Sequence, residues 1–109
     1  MKPDSVPNNY LLQKAEHREF VEAVENLGKV VKQQGPIDEK TAHLIQLAAA
    51  VAIRSEGSTH SHVRRALAAG ASAAEIHHAI ILLTSTIGFP TVAAALSWVQ
   101  DILGEPAAD

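Results

Sequence analysis

The sequence predicts an all-α fold, a small helical bundle of about five helices completed by oligomerisation. Three observations carry that expectation. Apolar residues recur at helical spacing in the long segments, caps and glycines punctuate the chain at short intervals, and nothing requires a strand. With 109 residues, 47% hydrophobic and 19% charged, the composition is that of one globular domain.

Residues 1–11 read as an irregular arm, because Pro3, Pro7 and the pair Asn8-Asn9 disfavour a continued helix. Residues 12–109 then form the domain. From about Leu12 to Gln34, the residues Phe20, Val24, Leu27 and Val31 fall on one stripe, with Glu22, Glu25 and Lys29 between them, which predicts an amphipathic helix. Gly35-Pro36 ends it. Asp38 offers an N-cap to a second helix that runs to about Arg54. Gly57 allows a break, a third helix follows from roughly Thr59 to Ala69, and Gly70 closes it. Ser72-Ala73-Ala74-Glu75 has the form of a capping box and opens a fourth helix that ends near Gly88. Pro90 suits the first turn of a fifth, where Val92, Leu96, Val99 and Leu103 repeat at helical spacing before Gly104.

The stretches Leu44 to Ile53 and Ala79 to Leu83 are apolar on almost every face, which implies burial from several sides. So short a chain buries only a limited share of its surface, so partner subunits are expected to complete the core as a homo-oligomer.

Charge and composition narrow the function. A net charge of -3 with 9 Lys and Arg, and no basic run beyond Arg64-Arg65, gives no footprint for nucleic acid. The absence of cysteine excludes a disulfide framework, thiolate catalysis and thiolate metal sites. The longest apolar stretch is far shorter than the ~20 residues that span a bilayer, so no membrane partner is expected. Residues 1–10 lack the apolar core of a secretory signal, which leaves the cytoplasm as the expected location.

Chemistry concentrates in Ser55-Glu56-Gly57-Ser58-Thr59-His60-Ser61-His62. With a helix beginning near Gly57, Ser58 and His62 share one face, and Glu56 and His60 lie across its first turn. His43 stands on the preceding helix, and the sequence leaves open whether it folds back towards His62 or approaches a neighbouring subunit. The alternative for His62 is a buried or interfacial histidine satisfied by Ser58. A Ser58–His62 nucleophile and base lacks a third orienting group and an oxyanion loop. His43, Glu56, His60 and His62 are ligand types that suit zinc, iron or nickel. Yet His60 and His62 point to different helix faces, so no metal is assigned and no cofactor is expected.

Together with Lys40 to Ser55 and the downstream Ile87-Gly88-Phe89-Pro90, this run resembles the carboxymuconolactone decarboxylase family, which includes the alkylhydroperoxidase D-like proteins. The likeness spans about residues 38–103 and implies a helical scaffold assembled as a homo-trimer or homo-hexamer. Members with peroxidase activity carry Cys at the positions of Ser55 and Ser58, His at that of His62, and Glu at that of His43. Only His62 matches. Serine can neither attack a peroxide as a thiolate nor resolve a sulfenic acid as a disulfide, so the dithiol mechanism is excluded.

The decarboxylase branch works without the cysteine pair. The resemblance therefore implies a cofactor-independent lyase or isomerase acting on a small carboxylated lactone or related acid. His62 would move protons, with Glu56, His60 and His43 as supporting catalytic groups, Arg54 and Arg64 holding a carboxylate, and Phe89 lining the pocket. The other expectation is a redox-silent relative that binds a small molecule or serves in an assembly.

Overall fold

A computed structural model describes residues 8–104. It is helical throughout, with seven segments: α1 (Asn8–Glu16), α2 (Arg18–Lys32), α3 (Glu39–Ala52), α4 (Glu56–Ala68), α5 (Ala73–Ile81), α6 (Thr84–Ile87) and α7 (Phe89–Leu103). The all-α expectation holds, and the first and fourth expected helices are each divided in two. The expected irregular arm is corrected for residues 8–11, which are helical, and its residues 1–7 lie outside the described residues.

The division of the first helix falls at His17, whose backbone leaves the helical region (φ −133°, ψ 55°). The bend lets α1 fold against α2, where Lys14 Nζ meets Glu25 Oε2 at 3.3 Å. Asp38 caps α3 by accepting from the Thr41 N–H at 2.8 Å, a bond that also lowers the Asp38 pKa.

The turn between α3 and α4 is made without glycine. Arg54 adopts φ 58°, and the Ser55 N–H reaches back to the Ala50 carbonyl at 2.9 Å, as in a helix stop that glycine usually supplies. Ser55 then caps α4, accepting from the Ser58 N–H at 3.3 Å. Gly57, expected as a break, lies inside α4.

Gly70 closes α4 at φ 99°, and the reciprocal bonds of Ser72 and Glu75 open α5 as a capping box. After the break at Leu82-Leu83, Gly88 at φ 93° turns the chain into α7, with Pro90 in its first turn.

The core lies between α3, α4, α5 and α7. Leu47 and Val51, Val63 and Ala66, Ile76 and Ile80, and Ala95 and Val99 are fully buried there, and Trp98 packs against the edge. Burying each of the larger side chains stabilises the fold by about 1.5–3 kcal/mol. By contrast, α2 buries only Val21, and its stripe is open, with Phe20 68% and Leu27 60% exposed. Ile45, Ile53, Ile81 and Leu82 are likewise exposed. No helix among the described residues is long and apolar enough to cross a membrane.

Candidate functional site

The α3–α4 hairpin decides where the histidines stand. His43 and His62 lie on opposite arms of the hairpin, and their rings meet with centroids 5.9 Å apart and planes inclined by 43°. His43 therefore folds back towards His62 within one chain. His43 is buried and His62 half-buried, and the Nδ1 atom of each is buried without a hydrogen-bond partner.

His43 forms part of the wall of a cavity of about 610 Å³ between the α1–α2 arm and the α3–α4 hairpin. Lys14, Lys29, Lys32 and Arg65 also line it, against two carboxylates, Glu25 and Glu39. Since Glu25 is paired with Lys14, the remaining wall has an excess of positive charge. Lys32 bends back to donate to the Gly28 carbonyl at 2.9 Å, and Glu39 Oε1 stands 3.8 Å from His43 Nε2.

These neighbours set the protonation of the pair. Burial, then Arg65, His43 and Lys32, push the His62 pKa down to about 4. Burial and Lys32 also lower that of His43, with Glu39 opposing them. Lys32 is lowered by burial and by Arg65. At neutral pH, His62 is thus a neutral imidazole, a proton acceptor and not the near-neutral acid and base expected from its residue type. An anion in the cavity would lie among Lys29, Lys32 and Arg65, and its charge would raise the pKa of both imidazoles.

The expected catalytic set divides between two faces of α4. His60 is buried and turns towards α7, where its Nε2 lies 3.0 Å from Asp101 Oδ2 and 3.9 Å from Glu56 Oε2. Glu56 and His60 therefore stand together, apart from His43 and His62. Ser55 is committed to its cap, and Ser58 supplies the capped N–H. Ser58 does not satisfy His62 Nδ1.

The expected carboxylate holders lie elsewhere. Arg54 donates to Thr91 Oγ1 at 2.9 Å, Arg64 has Nη1 buried without a partner, and Phe89 is 64% exposed. None of the three lines the cavity. Lys32 and Arg65 line it instead. Arg65 was within reach of sequence reasoning, because it falls three residues after His62 on the same helix face. Asp101 gave no such signal, since only tertiary packing brings it to His60.

The model of the carboxymuconolactone decarboxylase family matches residues 18–101, from the start of α2 nearly to the end of α7. No curated protein matches the chain.

Proposed function

The chain belongs to the carboxymuconolactone decarboxylase family, and from that premise we propose that it is a cofactor-independent lyase or isomerase acting on a small carboxylated lactone or related acid. The observation that carries this reading is the cavity wall, where Lys32 and Arg65 stand beside His43 with His62 behind it. Lys32 and Arg65 hold the substrate carboxylate. Loss of carbon dioxide breaks the carbon–carbon bond and leaves its electron pair delocalised into the lactone carbonyl as an enolate. A proton must then be delivered to carbon. Isomerisation instead takes a proton from one carbon of the substrate and returns it to another, with no loss of carbon dioxide.

In the decarboxylation the bound carboxylate raises the pKa of the imidazole pair, which takes up a proton from solvent, and after carbon dioxide leaves that proton passes from His62 by way of His43, which lines the cavity, to the enolate carbon. His43 relays or orients across the pair. Lys32 supplies fixed positive charge to the enolate. Glu56, His60, Arg54, Arg64 and Phe89 have no part in this scheme. The chain has no cysteine, so the dithiol chemistry of peroxidase relatives does not apply.

The test is a panel of lactone acids screened by thermal shift and then by turnover. Stabilisation with turnover is expected, with a loss of about 100-fold or more in kcat for His62→Gln. Full activity in that variant would remove the scheme. Stabilisation without turnover would favour the second reading, a binding protein, which the capping use of Ser55 also suits.

We propose further that the chain self-associates through α2, whose Phe20, Val24, Leu27 and Val31 stripe is too apolar to remain in water. Sedimentation equilibrium should show an oligomer at micromolar concentration, and Leu27→Glu should shift it towards monomer.

A further inference from the structure

We propose that Glu56, His60 and Asp101 form a site for a divalent first-row cation, on the face of α4 away from His43 and His62. The three groups come from the first and second turns of α4 and from the last turn of α7. One ligand atom of each lies within 4.8 Å of the others. His60 Nε2 is aimed at both carboxylates, Asp101 Oδ2 at 3.0 Å and Glu56 Oε2 at 3.9 Å. Two ligands of one ion with bonds of about 2.1 Å stand ~3–3.5 Å apart, so small side-chain adjustments bring all three into one shell.

Charge is the second, independent observation. Neither Glu56 nor Asp101 has a lysine or arginine partner within ion-pair distance among the described residues, and Glu56 makes no side-chain hydrogen bond. Even a protonated His60 supplies one positive charge against two. A nitrogen held by burial between two uncompensated carboxylates is the donor set that zinc, manganese or ferrous iron takes. Both carboxylates are half-exposed, so water completes the shell. Sequence spacing led away from this site, because it tested His60 against His62, which faces α3, and not against Asp101.

The test uses untagged full-length protein stripped with a chelator, titrated with Zn2+ by calorimetry and followed by thermal unfolding. One Zn2+ per chain is expected, with a rise in Tm, because an ion bound only by the folded state stabilises it. Glu56→Gln leaves the His60–Asp101 hydrogen bond intact, so it folds under either reading and should bind at least tenfold more weakly. Asp101→Asn should do the same, while His62→Gln should bind as the unaltered chain does. No Zn2+-dependent change in the unaltered chain overturns the proposal, and so does an unchanged affinity in Glu56→Gln. In either case the cluster is a hydrogen-bonded clasp between α4 and α7.

Discussion

His60 and His62 stand two residues apart on α4, and their surroundings are opposite in charge. His60 faces Glu56 and Asp101, whereas His62 faces His43 with Arg65 and Lys32 nearby. The helix alone explains the separation, since positions two apart diverge by about 200°. It does not explain the sign. That comes from the charges on each face: Glu56 of α4 itself with a carboxylate from α7 on one, and Arg65 of α4 itself with a lysine from the end of α2 on the other. Identical side chains on one helix thus acquire different chemistry from their charged neighbours.

The largest expected effect comes from reversing that sign on the His62 side. In Arg65→Glu, the strongest charged neighbour that lowers the His62 pKa becomes an anion, so His62 should titrate well above about 4. Affinity for a lactone acid should fall at least tenfold as the cavity loses a cation. NMR titration of the ring protons reads the first effect and calorimetry the second. The His60–Asp101 hydrogen bond should be retained, because Arg65 is not among the groups that face His60. An unshifted His62 would break the comparison at its electrostatic root.

Much of this arrangement was legible in the sequence, for identifiable reasons. Asp38, Ser72 with Glu75, Gly70 and Pro90 act through local hydrogen bonds or fixed dihedrals, so their residue types announce them. The turn at Arg54 was not announced, because arginine holds a left-handed conformation that usually signals glycine. That turn has a large consequence. Once the reversal is placed at Arg54, His43 lies about 16 Å down one arm and His62 about 12 Å down the other, close enough for their rings to meet. Placing the break at Gly57 left their meeting open. The stripe of α2 was legible as amphipathic, but periodicity says that a face is apolar and not whether anything covers it. The Asp101–His60 contact bridges distant positions by packing alone, beyond what spacing can show.

A smaller effect separates His62 from the ordinary acid response of the molecule. Its folded pKa of about 4 lies below the unfolded value of 6.5, so between these limits the unfolded chain binds more protons than the folded one. Stability should therefore be fully present above pH 6.5 and decline as the pH falls through 4. His43, lowered for the same main reason, adds in the same direction. The half-exposure of His62 allows solvent to screen the interaction, so the decline should be smaller than full burial would give. Asp38 and Glu75 also have lowered pKa values, but their unfolded values are 3.8 and 4.5, so the bulk of their contribution is lost at lower pH. Measuring Tm between pH 7 and 5 thus weights the histidine response. The slope should be positive with pH and shallower in His62→Gln. An unchanged slope would mean that neither burial nor the cations beside His62 depress its pKa in the folded state, and the contrast with His60 would then be one of position without electrostatic consequence.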